Sequence, residues 1–436
     1  YFMSKYIIQG GKQLSGTISV VSGKNATIAL FFASLLLKGK VLFKDVTKVA
    51  EVFRVLEILE SIGVRYEWMS ENSLLIDTSK KLTMATLDKK ASASTRISLL
   101  LLGGLASREK TYKIYRTGGC KLGKRTVGPH LYALQKLGIS IDSQKGHYLV
   151  KNKKLVGTEI VMYESGDTPT ENTIMAAVLA KGVTVIKFAS ANYMVQDLCH
   201  FLVAAGAKIT GIGTTTLTIH GVKRLHDVKE YYISPDPIDA MAWISLAITT
   251  KSPLTVKNCP LPFLELELEK LRVMGQIFKL TNRRMSTNGH VPVADIKIVP
   301  SALKALSDKI TCRPYPGLNI DNLPFFAPIA TQAKGKTLIH DWPYENRALY
   351  NLEFKKLGAN VLLLDPHRAL IEGPTKLKGA EIVAPYAIRP AMSLLIAMIA
   401  AKGTSVLLEA YPIERAYDRI IERLRGVGVN IERIDN

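Results

Sequence analysis

Apolar positions along the chain follow two alternating periods. Six segments place apolar residues at helical spacing, then a glycine, then a short apolar strand. They are 55–66 (VLEILESIGVRY), 131–141 (LYALQKLGISI), 198–209 (LCHFLVAAGAKI), 266–278 (LELEKLRVMGQIF), 352–361 (LEFKKLGANV) and 420–431 (IIERLRGVGVNI). Their glycines, Gly63, Gly138, Gly206, Gly275, Gly358 and Gly428, are 75, 68, 69, 83 and 70 positions apart. Each stands where a helix C-terminus calls for a left-handed residue.

A second pattern interleaves with the first. Six more apolar helices run into basic turns: Lys38-Gly39-Lys40, Arg108-Glu109-Lys110, Lys181-Gly182, Thr250-Lys251, Lys334-Gly335-Lys336 and Lys402-Gly403. The strands VLFKDV, TYKIY, VTVIKF, LTVKN, TLIHD and TSVLLEA come next, with extra short strands predicted at 73–77, 147–150 and 216–220. The unit is therefore helix–strand–helix–strand plus one or two further strands. About 70 residues bury too little surface to stand alone, so six units divide naturally into two α/β globules of three.

Composition narrows the function. The 436 residues are 47% hydrophobic and 22% charged, ordinary values for globular chains of more than one domain. No apolar run reaches the ~18–20 residues of a membrane span, and the N-terminus lacks a signal-peptide pattern, so a cytoplasmic protein is expected. A net charge of +21 calls for anionic partners. The 58 Lys and Arg are scattered, without aromatic–basic interleaving, zinc knuckle or helix-turn-helix pattern, so the sequence predicts no nucleic-acid binding and small phosphorylated substrates suit the charge. Cys120, Cys199, Cys259 and Cys312 lie 79, 60 and 53 positions apart, neither a metal-ligand spacing nor a disulfide framework.

Cys120 stands in a stretch dense in glycine and cations, 116–130 (RTGGCKLGKRTVGPH). A thiol beside Lys121, Lys124 and Arg125 on a glycine-freed backbone suits a mobile group of low pKa; the alternative is a basic surface loop with an incidental cysteine.

Helix starts supply the remaining candidates. Ser22, Ser94, Thr170, Asp236 and Asp321 read as N-caps. Lys24, Arg96, Arg125, Arg347, Arg389 and Arg415 put cations at predicted helix starts, where they oppose the helix dipole unless an anion shares the site. Their recurrence at equivalent points of the repeats points to a ligand rather than to chance.

Several motifs carry a family resemblance. They are Ser-Gly-Lys-Asn at 22–25, Gly-Gly-Cys-x-x-Gly-x-Arg at 118–125, Thr-Glu-Asn-x-x-Met-Ala-Ala at 170–177 and Gly-Ala-Lys-Ile at 206–209. Pro-Asp at 235–236, Tyr-Pro-Gly-x-x-x-Asp at 315–321, Glu-Asn-Arg at 345–347 and Arg-x-Tyr-x-Arg-Ile at 415–420 complete the set. Over essentially the whole chain these resemble the enolpyruvyl transferases, most closely the branch with a UDP-sugar acceptor. The resemblance implies two inside-out α/β globules of six βαβαββ repeats, with helices buried and sheets outside. One globule would comprise 1–21 plus 235–436 and the other 22–234.

It implies transfer of the enolpyruvyl group of phosphoenolpyruvate to the 3-hydroxyl of UDP-N-acetylglucosamine, by addition and elimination with release of phosphate, in peptidoglycan synthesis. Lys24, Arg125 and Arg415 would hold the donor phosphate, and Arg347 and Arg389 its carboxylate. Asp321 would take the hydroxyl proton. Cys120 would serve acid chemistry and phosphate release, and would be the thiol that fosfomycin alkylates. Asn25, Arg96 and Asp236 match substrate-side or domain-closure positions, and Thr126 is a candidate substrate-binding residue beside them. No metal, cofactor or membrane is implied; a monomer is the expectation.

The chain departs from the family pattern in places. Arg-Pro-Val/Ile-Asp-Leu-His is here Arg125-Thr126-Val127-Gly128-Pro129-His130, and the diphosphate-cradling Ser-Val-Gly-Ala-Thr is Gly166-Asp167-Thr168-Pro169-Thr170. Arg-Glu-Pro-Glu becomes Ala191-Asn192-Tyr193-Met194, and Asp-Leu-Arg becomes Ala387-Ile388-Arg389. Two alternatives therefore stand beside the UDP-sugar reading: an enolpyruvyl transferase with another acceptor, and a non-catalytic paralogue that binds an anionic ligand.

Overall fold

The computed structural model describes residues 4–116 and 126–435. All six glycines of the first pattern take positive φ, between 85° and 102°, so each ends its helix in the left-handed region and turns the chain into the next strand. In the basic turns Lys38, Gly182, Lys251, Gly335 and Lys402's neighbour Gly403 do the same. The helix of the fifth repeat, Arg347–Leu357, is wound as a 3-10 helix rather than an α-helix.

The third repeat of the middle segment displays the unit in full. Strand Glu159–Val161 leads to helix Asp167–Ala177, strand Val183–Lys187, helix Tyr193–Ala204 and strands Lys208–Thr210 and Thr216–His220. The sheet order is 208–210, 216–220, 183–187, 159–161. Glu159 pairs with Val185 in parallel, which the intervening helix permits, and the other pairings are antiparallel. Four further sheets repeat this order.

The sixth departs from the expected βαβαββ pattern. Thr111–Tyr115, His147–Asn152 and Ile139–Gln144 form three strands, and the stretch before them contains the 3-10 turn Met84–Thr86 where a first strand would fall.

Three repeats are assembled from distant pieces, one of them because Ser4–Gly10 lies antiparallel between Gly403–Leu408 and Asn430–Asp435. Thr17–Ser19 pairs in parallel with Thr255–Pro260, and Val228–Tyr232 with Lys40–Lys44. The chain thus forms two compact units, residues 4–21 with 235–435 (the first unit) and 22–116 with 126–234 (the second).

Each unit is built inside out. In the first, Pro237–Thr249 is buried at all thirteen positions and packs against Phe326–Ala330 and Ile388–Ala400. In the second, Lys24–Ser34 and Asp167–Ala177 are buried nearly throughout, and Leu101–Gly104 packs on both. Helices apolar on all sides belong in a core, whereas the strands alternate buried and exposed residues, as Lys40–Lys44 does.

The caps correct several sequence expectations. Asp236 is an N-cap, its carboxylate accepting from Ile238 N at 2.8 Å. Ser22 is not; its hydroxyl donates to the Asp45 carbonyl, and Gly23 occupies the cap. Thr95 rather than Ser94 caps the turn Arg96–Leu100. The helix holding Thr170 starts three residues earlier, at Asp167, so Thr170 Oγ1 bonds back to the Gly166 carbonyl at 2.7 Å. Asn322, not Asp321, precedes the turn Leu323–Phe325. Arg415 follows the one-turn helix Tyr411–Glu414 at its C-terminal side, where a cation suits the dipole. No helix among the described residues is long and apolar enough to cross a membrane.

Candidate active site

In the first unit, the starts of the buried helices collect carboxylates and guanidinium groups. Arg389 lies in the first turn of Ile388–Ala400, 5% exposed, with its Nε 3.3 Å from Asp321 Oδ2. The Tyr417 ring covers its guanidinium at 5.3 Å. Asp321 keeps more solvent contact, and its own N–H donates to Asn319 Oδ1 at 2.8 Å. A carboxylate that keeps 29% exposure beside a guanidinium can exchange a proton with a bound hydroxyl.

Asp236 is buried in the same cluster. Burial pushes its carboxyl up to about 6; Arg389 works against that rise, while Asp239 and Asp321 add to it. Asp239, one turn along, receives Arg423 Nη1 at 3.0 Å, Arg423 Nη2 at 2.8 Å, Trp243 Nε1 at 3.1 Å and Val21 N at 3.2 Å. Four donors satisfy this buried carboxylate and tie the outer helix Ile420–Gly426 to the core.

Arg347 is 3% exposed and paired through Nε and Nη2 with both oxygens of Asp341. Arg415 is half-buried with the Tyr386 ring 6.0 Å away. A hollow of about 450 Å³ is lined by Arg347, Tyr350, Glu353, Tyr386, Ala387 and Pro390, among others.

In the second unit Lys24, 7% exposed, opens the helix Lys24–Ser34, which has neither a side-chain cap nor an acid in its first turn. Asn25 follows it, half-buried. Arg96 Nη2 donates to the Thr126 carbonyl at 2.7 Å and so fixes the backbone just after 117–125. Cys120 and Arg125 lie outside the described residues.

Behind Arg96 sits a buried polar cluster whose proton positions can be derived. Gly103 N donates to Asn172 Oδ1 at 2.7 Å, so Asn172 Nδ2 faces the Leu99 carbonyl at 3.0 Å and His130 Nδ1 at 2.8 Å. His130 Nδ1 must then be an acceptor, and its proton is on Nε2, 3.5 Å from Thr168 Oγ1. Burial pushes the imidazole down to about 3, with the Arg96 charge adding to the effect.

The neighbouring helix start differs in charge. Asp167 is in the first turn of Asp167–Ala177, where Ser190 Oγ donates to one oxygen at 2.6 Å and Asn192 Nδ2 to the other at 3.3 Å. Pro169 falls within that first turn, where a missing N–H is tolerated. Burial, with Asp167 nearby, holds Glu171 well above the ordinary carboxylate range.

The geometry thus joins Asp236, Asp321 and Arg389 in one cluster of the first unit; Arg347 lines the hollow, and Arg415 lies by Tyr386, which lines it too. In the second it joins Arg96 to Thr126. Sequence reading missed Asp341, Asp239 and Arg423. Asp341 stands at the end of the strand read as TLIHD, six positions before Arg347, and no periodicity marks it. Among the described residues no cluster of three or more His, Cys, Asp or Glu is arranged to hold a metal. Cys199, Cys259 and Cys312 are buried and unpaired, and burial raises the Cys199 and Cys312 thiols to about 12.

Sheet-clad units with buried helices are consistent with the enolpyruvyl transferase fold. A family model described as EPSP synthase (3-phosphoshikimate 1-carboxyvinyltransferase) matches residues 8–424, and the chain belongs to that family. Proteins named UDP-N-acetylglucosamine 1-carboxyvinyltransferase are similar over nearly the full length. The one from Treponema denticola is 34% identical over 430 residues, 99% of each chain, and the one from Bradyrhizobium diazoefficiens 35% over 438, 99% of this chain and 98% of the relative. Among solved structures, the enolpyruvyl transferase NikO from Streptomyces tendae aligns with a TM-score of 0.86 at 21% identity, covering 100% of both chains. EPSP synthase from Acinetobacter baumannii aligns at 0.77 and 20%, covering 99% of this chain and 100% of that one.

Proposed function

We propose that the chain transfers the enolpyruvyl group of phosphoenolpyruvate to the 3-hydroxyl of UDP-N-acetylglucosamine, releasing phosphate. The observation that carries this reading is end-to-end similarity, at 34 and 35% identity, to proteins that bear that activity in their names. Peptidoglycan synthesis, in the cytoplasm, is the setting that fits the two substrates.

The chemistry needs a base for the hydroxyl, an acid for the donor's methylene carbon, and cations for a phosphate and a carboxylate. Asp321 is the proposed base: Arg389 steadies one of its oxygens, and the group retains solvent access. The hydroxyl oxygen bonds to the donor's C2 while C3 takes a proton, giving a tetrahedral ketal. Loss of a proton from C3 then expels phosphate and restores the double bond. Lys24, Arg125 and Arg415 are assigned to the phosphate, Arg347 and Arg389 to the carboxylate, and Cys120 to the acid step and phosphate departure. Asn25, Arg96, Thr126 and Asp236 are assigned to the acceptor side.

One observation favours a second reading with a different acceptor. Asp167 sets its own carboxylate at a helix start, held by Ser190 and Asn192, where an anionic acceptor would gain most from free N–H groups.

Phosphate release from phosphoenolpyruvate and UDP-N-acetylglucosamine tests both. Turnover supports the first reading. Absence of turnover with phosphoenolpyruvate still bound selects the second, and failure to bind phosphoenolpyruvate overturns both.

A further inference from the structure

Arg347 opens the 3-10 helix Arg347–Leu357, buried to 3% exposure. Two of its three guanidinium nitrogens are engaged within the protein. Nε and Nη2 face the two oxygens of Asp341, and Nη2 also donates to the Ile320 carbonyl at 2.8 Å. Nη1 has no hydrogen-bond partner among the described residues. The Tyr344 ring lies 4.3 Å from the guanidinium carbon and limits its rotation.

Asp341 is as fixed as the group it holds. It is 2% exposed, its N–H donates to the His367 carbonyl at 2.7 Å, and its carbonyl accepts from His367 Nδ1 at 3.1 Å. Burial raises its carboxyl and Arg347 opposes that rise. Burial alone would push the guanidinium down, and Asp341 more than offsets this, so the pair stays ionised.

Arg347 also lines the hollow of about 450 Å³ beside Tyr350, Tyr386, Ala387 and Pro390. The helix Ile388–Ala400 starts there, and neither it nor Arg347–Leu357 has a side-chain cap or an acid in its first turn. Nη1 is not itself sealed from solvent, so a ligand in the hollow can reach it.

We propose that Asp341 is a positioning residue: it holds Arg347 so that Nη1, with its two N–H groups, is kept for the carboxylate of the donor. The inference rests on the enolpyruvyl-transfer reading and deepens it. Because Arg347 and Asp341 together are neutral, the pair suits a singly charged carboxylate, which needs directed N–H groups. A phosphate dianion needs net positive charge.

Calorimetric binding of phosphoenolpyruvate to the full chain, with steady-state kinetics, decides the matter. Asp341→Asn keeps the shape and removes the charge. Its KM for phosphoenolpyruvate is expected to rise about 10- to 100-fold, with kcat and the acceptor KM changed by less than about threefold. Arg347→Lys retains a cation for Asp341 but has no second nitrogen; it is expected to lose phosphoenolpyruvate affinity while keeping the wild-type melting temperature. In the Arg347→Ala background Asp341→Asn should add nothing further.

Wild-type affinity in Asp341→Asn overturns the inference while leaving the functional reading intact, and so does retained affinity in Arg347→Lys. A wild-type protein that does not bind phosphoenolpyruvate overturns the functional reading, and this inference with it. If Asp341→Asn does not fold, Arg347→Lys decides alone.

Discussion

His130 is expected to stay uncharged through the whole range in which an ordinary histidine titrates. Protonating Nδ1 would place an N–H against the Asn172 Nδ2 group, 2.8 Å away. Asn172 cannot turn over to help, because Gly103 N holds its oxygen from the other side. The imidazole, 1% exposed, is held down to about 3, against an unfolded value of about 6.5. The folded value is the depressed one, so His130 contributes stability that is fully present above about 6.5 and is lost as pH falls towards about 3. At about pH 4.5 the loss relative to neutral pH is about 3 kcal/mol, an order-of-magnitude figure from two units of separation. Urea unfolding of the wild type and of His130→Gln at about pH 7.5 and about pH 4.5 measures it: the wild type should lose about 3 kcal/mol more than the variant. A His130 proton resonance that titrates near 6.5, or equal losses in the two proteins, would refute the proton assignment.

Three further outcomes are expected. Asp321→Asn should lower kcat about 10²- to 10⁴-fold in the phosphate-release assay, as for loss of a general base, and leave the melting temperature nearly unchanged because its contact with Arg389 is long and partly solvated. A normal kcat would remove Asp321 from the chemistry. Burial raises Asp236 to about 6, so it contributes stability that is present below about 4 and lost as pH rises through about 6. Asp236→Asn keeps a capping oxygen and should flatten this dependence in denaturant titrations; an unchanged slope would mean that another group carries it. Cys120→Asp is expected to retain turnover and escape fosfomycin, and an unchanged inactivation rate would dissociate Cys120 from the site.

The fold was readable because it is repeated. One glycine at a helix end is weak evidence, but six at similar spacing, each needing the same left-handed backbone, leave few alternatives. Gly63 and Gly428 take φ of 96° and 95° although 365 positions separate them in the sequence. The caps were less readable, since Ser, Thr and Asp offer many candidates and only three-dimensional packing chooses among them. Ser22 gave its hydroxyl to Asp45, and Thr170 lost the helix start to Asp167, whose partners Ser190 and Asn192 come from a different turn. Asp341 and Arg423 escaped for the same reason. Their meaning lies in a partner, Arg347 or Asp239, whose proximity no local pattern encodes.

The charge pairing revises the sequence argument about cations at helix starts. A cation there was taken to require a bound anion, yet Arg347 and Arg389 each face an aspartate of the protein. The unfavourable dipole term, about 0.3–1 kcal/mol, is therefore met internally, and these arginines are fixed before any ligand arrives. In the proposed site they would offer a ligand direction rather than net attraction, which is the more useful property when a transition state must be favoured over its substrate. The +21 of the chain has another use. Arg108 shows it: its guanidinium reaches the Leu35, Thr78 and Lys80 carbonyls at 2.9–3.0 Å, just past a buried helix whose last turn has no other cation. At Arg108, then, positive charge complements a helix C-terminus, while at Arg347 and Arg389 it is balanced by a carboxylate of the protein.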